Sequence, residues 1–165
     1  MKVLFLGNSD STFSNLHFQA LSQTPAIVIG VVDVPPAKRS STNLDSGDYP
    51  SFAGVARARG LPVFEPASPN LPEFVEIVRA LSPDLMVAVG YLFLLKPAIL
   101  QAPKILAANF HASLLPAYRG KHPVFWTLRH GERWAGLTVH VMDPNFDTGD
   151  ILYQVRLRTR RDDTV

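Results

Sequence analysis

Residues 3–7 have the sequence Val-Leu-Phe-Leu-Gly, a short apolar run that ends at a glycine. A continuous apolar run of this length is typical of a strand covered on both faces of a parallel sheet. A polar turn follows, and Phe13 and Leu16 then begin a helical spacing of apolar residues. Residues 26–32 form a second apolar run. The chain therefore opens as strand, helix, strand, which predicts a right-handed parallel unit.

The same alternation continues to the end of the chain and predicts an α/β fold with a mostly parallel sheet and helices on both faces. Two late strands separated by one loop predict some antiparallel pairing in the second half. The predicted helices are 51–59, 72–81, 96–100 and 123–129, and the further predicted strands are 61–64, 84–90, 105–110, 137–141 and 151–157.

The composition limits the class of protein. The chain has 165 residues, 47% hydrophobic and 18% charged, which predicts one globular domain over residues 1–165 and excludes a disordered or coiled-coil protein. It has no cysteine, which excludes disulfide scaffolds, thiolate zinc sites and cysteine nucleophiles. The net charge of +2 does not by itself indicate a nucleic-acid binder. No apolar stretch approaches the ~18 residues of a membrane span, so we expect a soluble, cytoplasmic protein.

Two polar stretches lie outside the predicted core elements. Residues 35–50 form the longest predicted loop, and loops of this length in compact domains are often functional. Arginines then alternate near the end of the chain, which is typical of the exposed face of an edge strand. These arginines are Arg156, Arg158, Arg160 and Arg161.

Chemistry-bearing residues concentrate in residues 109–120, Asn-Phe-His-Ala-Ser-Leu-Leu-Pro-Ala-Tyr-Arg-Gly. Asn109 and His111 are two positions apart at the carboxyl end of a predicted strand, so their side chains share one face. Ligand sites in open α/β sheets lie beyond these carboxyl ends. An amide that donates to an oxyanion, beside an imidazole that moves a proton, suits acyl transfer. The alternative interpretation of His111 is a buried, hydrogen-bonded core residue.

A second polar block is formed by residues 143–150, Asp-Pro-Asn-Phe-Asp-Thr-Gly-Asp. A calcium loop is not supported, because the ligand alternation fails at Pro144 and Phe146. An aspartate of this loop that faces a histidine would hold the imidazolium and raise its pKa. Asp143 and Asp150 are interpreted from spacing alone as turn residues. The remaining histidines, including His140, lack metal-ligand spacing with His111.

Together the two blocks resemble the folate-dependent formyltransferases, which include methionyl-tRNA formyltransferase, glycinamide ribonucleotide formyltransferase and the sugar N-formyltransferases. The resemblance rests on Asn-x-His-x-Ser-Leu-Leu-Pro-x-Tyr-Arg-Gly and the later Asp-Thr-Gly-Asp-Ile-Leu. It implies a Rossmann-like three-layer fold and the catalytic trio Asn109, His111 and Asp147. It also implies that an acceptor amine attacks the formyl carbon of N10-formyltetrahydrofolate, with no metal required.

The resemblance further implies two binding regions. The donor folate is expected along the loop after the fourth strand and at Asp143. The acceptor is expected near the first turn and near the catalytic block, although Asn8 and Ser9 also suit plain helix capping. Ser113 is expected to support its loop rather than to act as a nucleophile, and Arg119 suits either an anionic substrate group or a carboxylate. The expected folate residues are Gly90, Tyr91, Leu92, Phe93, Leu94, Leu95 and Asp143, and the expected acceptor residues are Asn8, Ser9, Ser113 and Arg119.

Two departures from the family pattern leave alternatives open. Family members usually continue past the position of Val165, so we expect a domain shortened at its C-terminus, with uncovered apolar surface and self-association. The stretch 34–49 is nearly neutral, whereas methionyl-tRNA enzymes have a basic loop there, so a small amine is as good an acceptor candidate as tRNA. A formyltetrahydrofolate hydrolase, a non-catalytic folate- or anion-binding module and, more distantly, a Ser113 hydrolase are the alternatives.

Overall fold

One sheet organises the described chain, residues 1–39 and 49–164, in the computed structural model of the protein. Within these residues seven strands lie in the order β3-β2-β1-β4-β5-β6-β7. The strands are β1 (Lys2–Gly7), β2 (Ile27–Asp33), β3 (Val63–Phe64), β4 (Leu85–Val89), β5 (Leu106–His111), β6 (Trp134–Val141) and β7 (Ile151–Arg158).

The sheet changes direction at β5. Strands β1 to β5 are parallel, whereas β6 and β7 pair antiparallel, as the two late strands predicted. The register pairs Gly7 with Val89 and Ala88 with Asn109. The carboxyl ends of β1, β4 and β5 therefore lie side by side at one edge of the sheet.

The helices agree with the sequence expectation in number and place. Pro72, Pro97 and Pro123 each begin a helix, where a missing N–H costs nothing. A short 3-10 turn follows β2 at Pro36–Lys38, and residues 40–48 of the predicted long loop lie outside the described residues. The helices are α1 (Thr12–Leu21), α2 (Phe52–Ala58), α3 (Pro72–Leu81), α4 (Pro97–Leu100) and α5 (Pro123–Arg129).

Apolar residues alternate across the sheet and bury both faces of β1. Leu4 and Leu6 face a cluster that includes Phe74 of α3 and Ile99 of α4, while Phe5 faces the opposite cluster with α1 and α2. Helices on both faces make three layers, which confirms the Rossmann-like α/β fold class. Along α3 the predicted apolar side is buried, because helical spacing brings its residues to one face.

The two outer strands are the least covered strands of the sheet. β6 begins at Trp134, three residues before the predicted start, because residues 134–136 pair with residues 156–158 of β7. β7 is exposed along its whole length, as the alternating arginines predicted. Apolar side chains of β7 are exposed as well, including Tyr153 and Leu157. In the part of the chain that the structure describes, no helix is long and apolar enough to cross a membrane.

Candidate active site

The end of β5 and the strand beside it place three polar side chains together. Asn109 and His111 share one face of β5, and the antiparallel register places His140 of β6 directly opposite Asn109. His111 and His140 are both buried. Because this face is the one covered by α3 and α4, the site lies beyond the core on that side of the sheet.

Asp147 reaches these side chains from the loop between β6 and β7. Its backbone is left-handed, with φ of +54°, a conformation that few residues other than glycine adopt and that aspartate tolerates better than most. The loop is folded tightly against β6 at Gly149, where a Cβ atom would overlap the Val141 carbonyl oxygen. Only glycine permits this approach, which holds the end of the loop that carries Asp147 against β6.

The Asn109 amide links the histidine and the carboxylate. Its Nδ2 atom lies 3.2 Å from Nε2 of His140 and 3.2 Å from Oδ1 of Asp147. Nε2 of His140 is also 3.4 Å from Oδ1 of Asp147. Both hydrogens of the amide group therefore point at site residues.

The His111 ring is oriented by a backbone carbonyl. Nε2 of His111 lies 2.8 Å from the carbonyl oxygen of Tyr118, which only accepts, so this nitrogen holds the hydrogen. Nδ1 is then the nitrogen that is free to take a proton, and it lies 3.5 Å from Oδ2 of Asp147. A proton gained at Nδ1 would be placed directly against this carboxylate.

Backbone groups also orient the Asp147 carboxylate and the His140 ring. The amide of Gly120 donates to Oδ2 of Asp147 at 2.8 Å. Nδ1 of His140 lies 2.9 Å from the carbonyl oxygen of Val141 and donates to it, which turns Nε2 toward Asn109 and Asp147. The ring nitrogens that face the site are therefore Nδ1 of His111 and Nε2 of His140.

Electrostatics at the site favour the ionised forms of Asp147 and His140. Burial alone would raise the pKa of Asp147, but the hydrogen bonds from His140 and Gly120 and the nearby histidines lower it below its ordinary value. Burial alone would lower the pKa of His140, but its contacts with Asp147 and the Val141 carbonyl raise it. Asp147 is thus the loop aspartate that the sequence analysis expects to face a histidine, and it contacts two of them, His111 and His140.

The expected folate loop follows β4, next to the end of β5. Gly90 has a left-handed φ of +62°, and the Asn70 side chain donates to the Leu94 carbonyl at 2.9 Å. The Tyr91 hydroxyl is buried without a hydrogen-bond partner among the described residues. Burial, with the nearby charge of Asp33, strongly raises its pKa, so it is a neutral donor.

The other side chains of that loop are divided between surface and core. Leu95 is buried in the core, whereas Leu92 is exposed. The Lys38 ammonium lies 4.8 Å from the centre of the Phe93 ring. The loop thus offers apolar surface and one unsatisfied hydroxyl at the edge where Asn109 and His111 lie.

The expected acceptor residues of the first turn are occupied by structural contacts. The Ser9 hydroxyl donates to Asp33 at 2.5 Å, and Asn8 accepts from the Asp10 amide. Neither residue caps α1, whose N-cap is Ser11. Asn8 and Ser9 therefore lie at the correct edge of the sheet, but their side chains are held by the first turn and by β2 rather than by the Asn109–His111–Asp147 group.

The remaining expected residues support the two loops of the site. The Ser113 hydroxyl donates to the Ala117 carbonyl at 2.7 Å, which braces the turn after β5. Asp143 accepts from the Thr148 hydroxyl and the Asn145 amide, as its interpretation as a turn residue predicts. Arg119 is exposed and forms no ion pair within the described ranges.

Three parts of the site are not evident from the sequence. The sequence analysis considers His140 only as a metal ligand and finds no ligand spacing for it, because its place opposite Asn109 depends on an antiparallel register. The Gly120 amide and the Tyr118 carbonyl are backbone groups, which no side-chain motif reports.

Residues 1–39 and 49–164 contain no cluster of three or more histidines and carboxylates suited to hold a metal ion.

The whole chain, residues 1–165, matches a protein-family model described as formyl transferase. The chain is 39% identical over 160 residues to a methionyl-tRNA formyltransferase from Synechococcus sp. (strain JA-3-3Ab), covering 95% of this chain and 48% of that protein. It is 36% identical over 165 residues to a methionyl-tRNA formyltransferase from Kosmotoga olearia, covering 99% of this chain and 51% of that protein. The chain thus spans about half the length of the curated relatives it matches.

A solved structure shares the fold. Phosphoribosylglycinamide formyltransferase from Bacillus halodurans matches with a TM-score of 0.78 at 23% sequence identity. The match covers 99% of this chain and 83% of that chain. Sequence identity at this level supports a shared arrangement of strands and helices and carries no information about the substrate.

Proposed function

The chain belongs to the formyl transferase family, and we propose that it transfers a formyl group from N10-formyltetrahydrofolate to an amine. The observation that supports this most directly is the meeting of Asn109, His111 and Asp147 at the carboxyl edge of the sheet. These three groups come from two distant segments, and their contacts suit a reaction that develops an oxyanion and releases a proton.

Asn109 is the oxyanion donor in this proposal. When an amine attacks a formyl carbon, the formyl oxygen gains negative charge and needs a preorganised N–H. Both amide hydrogens of Asn109 now point at His140 and Asp147. If His140 takes a proton at Nε2, this nitrogen donates instead of accepting, and one hydrogen of Asn109 becomes available. His140 is therefore a positioning residue for Asn109.

His111 is the proton acceptor. Its Nε2 hydrogen is held by the Tyr118 carbonyl, so Nδ1 takes the proton that the attacking amine releases. Asp147 faces this atom at 3.5 Å and stabilises the resulting cation. In apo structures such contacts are often long and shorten when substrate binds.

The loop after β4 is the proposed site for the donor. The buried Tyr91 hydroxyl has no partner among the described residues, and such a group costs free energy unless a ligand satisfies it. A folate provides a flat heterocycle whose faces pack on apolar side chains and whose edge carries hydrogen-bond acceptors, which fits one free donor in an apolar loop. Residues 90–95, together with Asp143, are proposed to hold it.

The acceptor is proposed to be an amine, either of an aminoacyl-tRNA, as the names of the relatives suggest, or of a small molecule. The test is an assay of tetrahydrofolate release from N10-formyltetrahydrofolate, with and without methionyl-tRNA or an amino-sugar nucleotide. Release that depends on an acceptor supports formyl transfer. Release that proceeds equally in water alone would instead indicate a hydrolase.

A binding measurement separates chemistry from donor recognition. Titration calorimetry with 5-formyltetrahydrofolate should give saturable binding that Tyr91→Phe weakens, with Arg79→Gln, an exposed residue in the last turn of α3, as the control. Binding without turnover, in a protein that retains its folded spectrum, would favour a folate-binding module. Absence of binding would contradict the proposal.

A further inference from the structure

One side-chain amide joins the turn before α3 to the loop after β4. Nδ2 of Asn70 donates to the Leu94 carbonyl at 2.9 Å, and Oδ1 of Asn70 accepts from the Lys96 amide at 2.8 Å. The backbone at Lys96 is extended, with φ of −90° and ψ of 165°. Asn70 therefore contacts the loop as a neighbouring strand would, through one carbonyl and the amide two residues later.

These two bonds restrain a loop that has few others. Residues 91–95 belong to no helix or strand. Within residues 1–39 and 49–164, their backbone groups form no hydrogen bond except the one from Asn70 to Leu94. Tyr91 and Leu95 pack in the core cluster on the α3 side of the sheet, so apolar contacts hold both ends of the loop. The path of the residues between these ends depends on Asn70.

Asn70 is mounted on a firmly held turn. Its backbone amide donates to the Ser68 hydroxyl at 3.3 Å, Pro69 is buried, and α3 begins two residues later with its apolar side in the core. An asparagine in a turn commonly bonds to the backbone of that turn. Here Ser68 does so instead, and the Asn70 side chain reaches residues 24 and 26 positions further along the chain.

A lysine adds a second contact between this region and the loop. Nζ of Lys38 donates to the Ala67 carbonyl at 3.1 Å and lies 4.8 Å from the centre of the Phe93 ring. The Phe93 ring is 5.4 Å from the Tyr91 ring and inclined to it by 40°. Asn70 and Lys38 thus hold the middle of the loop beside the Tyr91 hydroxyl, which has no partner among the described residues.

We propose that Asn70 is a positioning residue for the formyl donor, because its amide keeps residues 91–95 in the shape that admits a folate. The inference rests on the proposed function, in which this loop is the donor site. Apparent affinity scales with the fraction of protein that has the binding-competent shape. Without the Asn70 amide, Leu94 and Lys96 form hydrogen bonds with water in several loop shapes, and this fraction falls. The catalytic groups on β5 and on the Asp147 loop are not touched by Asn70.

The test is titration calorimetry of the full chain with 5-formyltetrahydrofolate. Asn70→Ala should weaken binding by about 5- to 100-fold, the effect of two lost hydrogen bonds. Asn70→Asp keeps an acceptor for the Lys96 amide but places an oxygen against the Leu94 carbonyl, so it should not restore the affinity. Lys38→Gln should weaken binding by about 2- to 5-fold, the effect of one exposed cation–π contact.

Kinetics and hydrogen exchange separate positioning from a merely structural role. In the assay of tetrahydrofolate release, Asn70→Ala should raise KM for the donor and leave kcat within about twofold of wild type. A variant that is only less stable would lose active protein, which lowers the apparent kcat and leaves KM unchanged. Hydrogen exchange of the Lys96 amide, measured by NMR without folate, should be faster in Asn70→Ala because that amide loses its acceptor.

Asn15→Ala is the matched control. The Asn15 side chain forms the same pair of bonds elsewhere, since it donates to the Ser9 carbonyl at 3.0 Å and accepts from the Phe52 amide at 2.8 Å. This variant should lower stability and leave both the donor affinity and the exchange of the Lys96 amide unchanged. Arg79→Gln, in the last turn of α3, replaces it as the control if Asn15→Ala does not fold.

The wild-type chain distinguishes the inference from the proposed function. If the wild type binds 5-formyltetrahydrofolate and Asn70→Ala binds it equally well, the positioning role is overturned and formyl transfer stands. An equal loss of affinity in a folded Asn15→Ala variant would also overturn the positioning role. If the wild type does not bind the folate, the donor site itself is contradicted, and the role of Asn70 is rejected with it.

Discussion

Two polar clusters at the same edge of the sheet are built in different ways. At the ends of β1 and β2, Asp33 accepts bonds of 2.5–2.9 Å from Ser9, the Val34 amide and Arg39. At the ends of β5 and β6, the contacts among the side chains of Asn109, His111, Asp147 and His140 are 3.2–3.5 Å. The side chain of Asp33 is 0% exposed, and that of Asp147 is 12% exposed.

The difference favours a structural role for the first cluster and the proposed chemistry for the second. Short bonds that satisfy every lone pair leave Asp33 nothing to offer a ligand. In the second cluster the short hydrogen bonds join side chains to backbone groups only, and these bonds orient the side chains. The longer contacts among the side chains leave them able to form hydrogen bonds with a ligand. A substrate can therefore enter the second cluster without breaking a strong bond.

The largest expected effect is on stability, at Asp33. Replacement of Asp33 by alanine leaves buried donors of Ser9 and Val34 unsatisfied and removes the most buried of the three carboxylates that pair with Arg39. We therefore expect the free energy of unfolding to fall by about 3–5 kcal/mol. Urea unfolding measures this, with Asp150→Ala on the exposed loop as the control. A change below about 1 kcal/mol would remove the contrast between the clusters.

Asn109→Ala should reduce activity and leave stability nearly unchanged, the opposite of the Asp33 variant. We expect formyl transfer to fall by about 100- to 1000-fold, because an oxyanion donor contributes about 2.7–4 kcal/mol to the transition state. The urea midpoint should shift little, since the amide makes only long contacts. Wild-type turnover in this variant would exclude the proposed donor role.

Gly149→Ala tests how the loop places Asp147. A methyl group at this position would overlap the Val141 carbonyl, so the loop must move, at a cost of about 1–3 kcal/mol. The displaced Asp147 should reduce formyl transfer beyond what this destabilisation explains. Gly54→Ala in α2 is the matched control, because a Cβ there contacts only the Ser51 side chain. Equal losses of formyl transfer in the two variants would show that activity does not depend on the position of the loop.

The smallest expected effect is on the pH dependence of stability and on the pKa of His140. The pKa of His140 is raised, so its contribution to stability is complete below its unfolded pKa and is lost as pH rises through the folded value. The pKa of Asp147 is lowered, so its contribution is present above the unfolded pKa and is lost as pH falls through the folded value. The pair therefore stabilises the fold most between the unfolded pKa of Asp147 and the unfolded pKa of His140.

Asp147→Asn should lower the pKa of His140, because Asp147 supplies a hydrogen bond and a charge that raise it. Asp143→Asn should lower it less, since Asp143 is the weakest of the contributions. NMR titration of the His140 ring in each variant measures the shift. An unchanged titration in Asp147→Asn would mean that the 3.4 Å contact between His140 and Asp147 is not formed in solution.

Much of the fold is predictable because its signals are local. Apolar runs such as residues 3–6 and 85–89 indicate buried parallel strands, and prolines at Pro72 and Pro123 indicate helix starts. The sequence pattern predicts the start of β6 at Leu137, but the strand begins at Trp134, because its first three residues are held by pairing with β7 rather than by their own pattern. Such pairing depends on residues that are distant along the chain.

By itself the sequence determined the strand–helix order and the fold class, because these depend on composition and period. Its motifs indicated the family by resemblance, and that resemblance implied Asn109, His111 and Asp147 as the catalytic residues. Only the tertiary structure decided that His140 stands opposite Asn109 and which ring nitrogen of His111 faces Asp147. The physical reason is that register and side-chain orientation arise from contacts between segments far apart in the chain, which no local pattern encodes.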